Sequence, residues 1–79
     1  MSYLPFVERV IGSLVEHPEQ VSVEEQVDGH TRTFFVTVAP TDVGKVIGKN
    51  GRVIISVRTV VSAVAAKSRE RAYVKVVTE

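Results

Sequence analysis

The sequence predicts an α+β fold in which a helix, two strands, two helices and a third strand follow one another. Three observations carry this prediction: an apolar helical stripe near the start of the chain, a two-residue hairpin signal between two strand-like segments, and a glycine-bounded tetrapeptide in the second half. We find no internal repeat, low-complexity segment or linker. We therefore expect residues 1–79 to form one domain.

The first predicted element is a helix that begins near Pro5, because proline suits the first turn of a helix. One face of this helix is apolar and comprises Val7, Val10, Ile11, Leu14 and Val15. We expect the helix to end before Pro18, since a residue that precedes proline is disfavoured from the helical region.

Two strands joined by a tight turn are predicted next. Residues Val21–Val27 alternate in polarity, Asp28-Gly29 is a two-residue hairpin signal, and Thr31–Val38 is rich in β-branched and aromatic residues. The alternation places Phe35 on the sheet face away from the helices. Phe35 is then either a scattered apolar residue or part of a subunit contact.

Two helices and a last strand are predicted for the second half. Pro40 stops the second strand, and Thr41 or Asp42 could cap a short helix that runs to Gly48. Seven of the nine residues 53–61 are β-branched, which favours a strand by propensity alone. The length of the segment and its helical spacing of apolar residues favour a helix instead, and we predict a helix. That spacing comprises Ile54, Val57, Val61 and Val64, and Arg71–Val77 is the third predicted strand.

The tetrapeptide Gly48-Lys49-Asn50-Gly51 lies between the last two helices. Glycine at both ends lets the backbone turn sharply and lets another backbone approach it closely. The amides that open the next helix lack partners within that helix and carry the positive end of its dipole. Because Lys45, Lys49 and Arg52 surround this turn, it predicts an anion-binding site, most naturally for the phosphates of a nucleic acid.

Charge and composition narrow the class of protein. Residues 1–41 hold six acidic and two basic residues, whereas residues 42–79 hold eight basic and three acidic ones, so the cations lie with the glycine turn. The chain has no cysteine, no apolar run long enough to span a membrane, and no signal-peptide pattern at its start. We expect a cytoplasmic protein without a disulfide or thiolate site.

The segment Gly44–Arg52, with its Ile-Gly-Lys-Asn-Gly core, resembles the GXXG signature of the KH domain. The element order is similar to the type II KH arrangement, and Val38-Ala39-Pro40, Arg58-Thr59 and residues 62–67 extend the resemblance to the small bacterial KhpA family. The resemblance implies a three-stranded mixed sheet with helices on one face. It also implies an RNA chaperone or post-transcriptional regulator that binds single-stranded RNA, as a homodimer or with a larger KH-containing protein.

The expected RNA path is a groove between the glycine turn with its following helix and the edge of the second strand. The candidate RNA-binding residues are Lys45, Val46, Ile47, Gly48, Lys49, Asn50, Gly51, Arg52 and Val53. Val46 and Ile47 are equally good core residues, so their direct contact with RNA stays open. Phe35 and Ile55 are the candidates for a dimer or partner surface.

Other nucleotide-binding motifs fit the glycine turn less well. A P-loop is rejected because Asn50 stands where its hydroxyl residue should be, and a Rossmann fingerprint lacks its glycine spacing. A turn without a ligand, a KH-fold protein-interaction module and a single-stranded DNA binder remain alternatives. His17 and His30 are isolated and no catalytic constellation can be assembled, so we expect no metal site and no enzyme. We also expect no cofactor, no small-molecule substrate and no membrane association.

Overall fold

A computed structural model describes residues 3–77, so Glu79, which the charge count included, lies outside the described residues. The helices are α1 (Leu4–Gly12), α2 (Val43–Ile47) and α3 (Arg52–Ala66), and the strands are β1 (Ser22–Asp28), β2 (Thr31–Thr37) and β3 (Arg71–Val76). Short 3₁₀ turns span Pro18–Gln20, Pro40–Asp42 and Lys49–Gly51. The predicted order of elements is confirmed. Between residues 3 and 77 no helix is long and apolar enough to cross a bilayer.

The three strands form a mixed sheet in the order β1-β2-β3. Strand β2 pairs antiparallel with β1, from Ser22 opposite Thr37 to Asp28 opposite Thr31. It pairs parallel with β3, and Phe34 lies opposite Val74 in that register. Strand β2 is therefore the central strand, and β1 and β3 form the two edges of the sheet. The expectation that the RNA groove runs along the edge of the second strand is wrong, because β2 is paired on both sides.

The core lies between one face of this sheet and the helices. Its fully buried centre includes Val7 and Ile11 from α1 and Phe34 and Val36 from β2. Helix α3 contributes a buried face of Ile54, Val57, Val61 and Ala65. The helix predicted from length and spacing is thus confirmed in spite of its β-branched composition, because burial of this face outweighs intrinsic propensity.

Helix α1 is shorter than predicted. It ends at Gly12, whereas the sequence favoured continuation to the residue before Pro18. Glycine has a low helix propensity, and the following residues turn away, with the Ser13 hydroxyl donating to the Val10 carbonyl at 2.7 Å. Leu14 still packs against the core from this turn, which explains why the apolar spacing extended past the end of the helix.

Asp42 has a different role from the predicted helix cap. It occupies the N-cap position of α2 but makes no capping hydrogen bond with its side chain. Its carboxylate, which is fully buried, instead accepts hydrogen bonds from the backbone amides of Glu16 at 3.2 Å and His17 at 3.0 Å. Asp42 therefore ties the connection after α1 to the start of α2.

A polar cluster closes one end of the sheet. The Arg32 guanidinium donates to Glu70 at 2.7 Å and to Glu25 at 2.8 Å, and the Tyr3 hydroxyl donates to Glu70 at 3.0 Å. Arg32 also lies over the Tyr3 ring, 5.1 Å from its centroid. Because Glu70 precedes β3 and Arg32 is in β2, this cluster fixes the parallel pairing at its start.

Candidate nucleic-acid interface

The backbone of the glycine turn has three residues at positive φ within four positions. Gly48 follows the last residue of α2 with φ 76° and ψ 173°, and Asn50 and Gly51 have φ of 58° and 74°. The Gly48 amide donates to the Gly44 carbonyl at 2.8 Å, and the Gly51 amide donates to the Gly48 carbonyl at 3.2 Å. The turn is therefore closed by its own backbone and leaves its side chains free for other contacts.

The two glycines of the turn are needed for different reasons. A Cβ at Gly48 would overlap Cγ2 of Val53 and lie 2.9 Å from the Val53 backbone nitrogen. At Gly51 a Cβ would have no neighbour within 4 Å. Gly48 thus permits the close packing of α2 on α3, whereas Gly51 supplies a left-handed residue on open surface.

The start of α3 has the properties of an anion-binding site. Gly51 is the N-cap of this helix, so no side chain caps its first amides, and the first turn has no acidic residue. Lys49 and Asn50 combine right-handed and left-handed conformations, the arrangement in which successive amides form an anion-binding concavity. The positive end of the α3 dipole is therefore not offset by an acidic side chain of its own first turn.

The predicted cations differ in their availability. Lys49 and Arg52 are exposed and form no ion pair with any residue in the described part of the chain. The Lys45 ammonium lies 3.5 Å from the carboxylate of Glu16, and both side chains are substantially exposed. Lys49 and Arg52 are thus the free cations beside the turn, while Lys45 is partly neutralised.

Burial decides between the two roles left open for the apolar residues before the turn. Val46 is completely buried in the core, so its side chain has no surface to offer a ligand. Ile47 and Val53 are half-buried and pack against the core cluster from its margin. The structure thus makes Val46 a support for α2 and leaves only part of Ile47 and Val53 accessible.

A groove of about 300 Å³ lies between α3 and the free edge of β3. It is lined by Arg58, Ser62, Ala72, Tyr73, Val74 and Lys75. The Arg58 Nε donates to the Val74 carbonyl at 2.9 Å, and the Ser62 hydroxyl donates to the Ala72 carbonyl at 3.3 Å. The sequence did not predict this groove, because only the order of the strands shows that β3 is the edge strand beside α3. The four-residue spacing of Arg58 and Ser62, which puts them on one face of a helix, was the available signal.

The two apolar residues predicted for a partner surface lie in different layers. Ile55 is 56 % exposed on α3. Phe35 is half-buried on the sheet face opposite the helices, where the register sets it between Glu24 and Lys75. Within residues 3–77 the structure assembles no group of three or more metal-binding side chains.

Comparison with known proteins adds an independent line of support. A family model described as the KhpA/KhpB KH domain matches residues 5–76. The chain is 46 % identical over 65 residues to the RNA-binding protein KhpA of Halalkalibacterium halodurans, which covers 82 % of this chain and 86 % of that protein. It is 36 % identical over 74 residues to the RNA-binding protein KhpA of Chlamydia pneumoniae, which covers 94 % and 95 %. No solved structure gave a significant match.

Proposed function

The chain belongs to the KhpA/KhpB family of KH domains, and we propose that it binds single-stranded RNA through the glycine turn between α2 and α3. The observation that carries this proposal is the uncapped start of α3, which follows a turn with exposed Lys49 and Asn50 and has no acidic residue nearby in its first turn. The names of the relatives, RNA-binding protein KhpA, support RNA over single-stranded DNA.

In the proposed mechanism the RNA backbone meets the turn first. The amides of Lys49, Asn50 and Gly51 donate to phosphate oxygens, and the α3 dipole stabilises the negative charge there. Arg52 and Lys49 attract the strand over longer distances, and their effect falls as salt rises. Lys45 joins them when it exchanges Glu16 for a phosphate, a small cost because that ion pair is exposed.

The bases then lie along the groove between α3 and the β3 edge. The groove is small, so it holds few bases, as a KH groove that binds about four nucleotides would. Its lining offers the polar side chains of Arg58 and Ser62, while the accessible parts of Ile47 and Val53, next to the turn in the chain, offer apolar contact. Because the groove lining includes no aromatic side chain other than Tyr73, we expect modest affinity from one copy.

Assembly would raise this affinity. We propose that the protein works as a homodimer or with a larger KH-containing protein in the cytoplasm, since two grooves on one RNA increase avidity without new contacts. A role as an RNA chaperone or post-transcriptional regulator, rather than as an enzyme, is consistent with weak, extended contact with single strands.

The test of this proposal is the double variant Lys49→Asp/Asn50→Asp. Aspartate, like asparagine, tolerates the left-handed conformation of residue 50, and carboxylates at a helix N-terminus are favourable to the helix. The fold should survive, since exposed substitutions usually change stability by about 0.5 kcal/mol or less. RNA affinity, measured by fluorescence anisotropy, should fall at least about tenfold, which corresponds to ~1.4 kcal/mol.

A salt titration separates this function from that of a protein-interaction module. Two or three phosphate contacts predict a slope of log affinity against log salt of about −1.4 to −2. A slope near zero, or a double variant with an unchanged thermal midpoint and unchanged RNA affinity, would rule out the turn as the nucleic-acid site. Matched DNA oligomers in the same assay measure the preference for RNA.

A further inference from the structure

The guanidinium group of Arg58 lines the groove and is held at one end by a hydrogen bond to the backbone. Its Nε donates to the Val74 carbonyl on the edge of β3, at 2.9 Å. The two terminal amino groups of the guanidinium have no acceptor among residues 3–77, and the residue as a whole is exposed. One end of the planar group is thus fixed to the backbone while the other end faces the groove.

This anchoring favours recognition by geometry. A free arginine loses rotational freedom when it forms two parallel hydrogen bonds, and an arginine already held by its Nε loses less. The remaining pair of amino groups forms a fork that matches two adjacent acceptor atoms. A group with one acceptor and one donor in those positions would place two N–H donors against each other.

The strand edge strengthens the same selection. The carbonyls of Ala72 and Val74 point away from β2 and are occupied by Ser62 and Arg58 respectively. Ala72 and Val74 are nearly buried, with 6 % and 2 % of their surface exposed, and both carbonyls are already engaged by donors of α3. The charged side chains of the groove lining, Arg58 and Lys75, are both hydrogen-bond donors.

We infer that Arg58 is a specificity-determining residue that selects bases presenting two adjacent acceptors, namely guanine by O6 and N7 or cytosine by O2 and N3, over adenine and uracil. Bidentate pairing of arginine with guanine is the commonest specific arginine–base contact, and the edges of unpaired bases are accessible in single strands. Arg58 lies about 9 Å along the helix axis from Arg52, within the span of a short bound strand. This inference rests on the proposed function.

The experiment compares oligouridines of one length that carry a central guanine, cytosine or adenine. The unmodified protein should bind the guanine or cytosine oligomer about fivefold or more tightly than the adenine and all-uridine ones. If the protein prefers guanine, replacing guanine by 7-deazaguanine removes the N7 acceptor and should abolish the preference. If it prefers cytosine, the cytosine oligomer should bind more tightly than the guanine oligomer. These measurements tell the two bases apart with the unmodified protein.

Two arginine-to-lysine variants complete the design. Arg58→Lys keeps the charge but loses the fork, so the base preference should disappear, and affinity for the preferred oligomer should fall more than affinity for oligouridine. Arg9→Lys, at an exposed arginine of α1 outside the groove, is the matched control and should leave the preference intact. Equal binding of all four oligomers by the unmodified protein would overturn the inference. An equal loss of affinity for every oligomer in Arg58→Lys would also overturn it, because that result indicates that Arg58 contacts a phosphate. Absence of binding to any oligomer would instead overturn the proposed function itself.

Discussion

Glu70 shows at the residue scale how a single carboxylate joins distant parts of this chain. Hydrogen bonds from Arg32 and then from Tyr3 hold the pKa of Glu70 below its usual value, although partial burial opposes them. The same contact with Glu70, followed by that with Glu25, raises the pKa of Arg32. The charged form of Glu70 is therefore favoured by folding.

The first prediction at this scale concerns pH. Because folding lowers the pKa of Glu70, its stabilising contribution is present above the unfolded pKa, near 4.5, and is lost as the pH falls through the lower folded value. The thermal midpoint of Glu70→Gln should lie below that of the unmodified protein at pH 7, and the difference should shrink at pH 3. Glu24→Gln, at an exposed site on β1, is the control. A difference that stays constant across this range would contradict the prediction.

Individual site residues were predictable where their role depends on exposure and charge. Lys49, Asn50 and Arg52 are exposed in or directly after the turn, as the sequence predicted. A short turn between two helices leaves its polar side chains in solvent. Asp42 was not predictable in its actual role. Its partners are backbone amides 25 and 26 residues away, and no local pattern reports such a contact.

The second prediction belongs to the element scale and compares the two glycines of the turn. Gly48→Ala places a Cβ against Val53 at a backbone conformation used almost only by glycine, and should lower the free energy of unfolding by about 3 kcal/mol or more. Gly51→Ala meets open space and should cost only about 1 kcal/mol, for its left-handed backbone. Chemical denaturation of both variants measures this.

The comparison also separates packing from ligand binding. RNA affinity per folded molecule should change less in Gly51→Ala than in the aspartate double variant, because an alanine methyl group adds no charge. Equal destabilisation by the two alanine substitutions would show that the contact between α2 and α3 at Gly48 is unimportant.

Elements were predictable where length and periodicity agreed. The buried face of α3 repeats at helical spacing from Ile54 to Ala65, and the helix of 15 residues is longer than a normal strand, so both signals outweighed the β-branched composition. The end of α1 was not predictable from the same signal, because Leu14 and Val15 keep contact with the core from a turn that follows the helix. Apolar spacing reports burial, and here burial continues past the last helical residue.

At the scale of the whole molecule, the two residues predicted for a partner surface lie on different sides of the fold. Ile55 is exposed on α3 and Phe35 lies on the uncovered face of the sheet, so two separate surfaces are available. Substitutions at the two positions therefore test two different candidate interfaces.

The third prediction is that the protein is a dimer at concentrations on the order of tens of micromolar. The variant Phe35→Thr/Ile55→Gln should be a folded monomer, and the two single variants identify the surface in use. Val60→Gln, which alters another exposed apolar residue of α3, should leave the dimer intact. Sedimentation of the unmodified protein as a monomer at these concentrations would refute the prediction.

The tertiary arrangement of the site was the least predictable part. The glycine turn is local and could be recognised from four residues, whereas the groove depends on β3 pairing with β2 and not with β1. Once that pairing is known, Arg58 and Ser62 necessarily face the strand edge, since they are four residues apart on the helix that precedes it. The contacts of Arg58 and Ser62 with β3 therefore depend on the order of the strands in the sheet, which local sequence patterns do not give.

The hydrogen bonds to the buried carboxylate of Asp42 make it possible to measure local opening of the fold by hydrogen exchange. The amides of Glu16 and His17 lie outside helix and strand, where exchange with deuterium is normally fast, yet both are held by this carboxylate. They can exchange only when the segment after α1 separates from the start of α2. Their deuterium uptake would therefore report how often this contact opens, and RNA bound at the turn after α2 would slow the uptake if it stabilises α2.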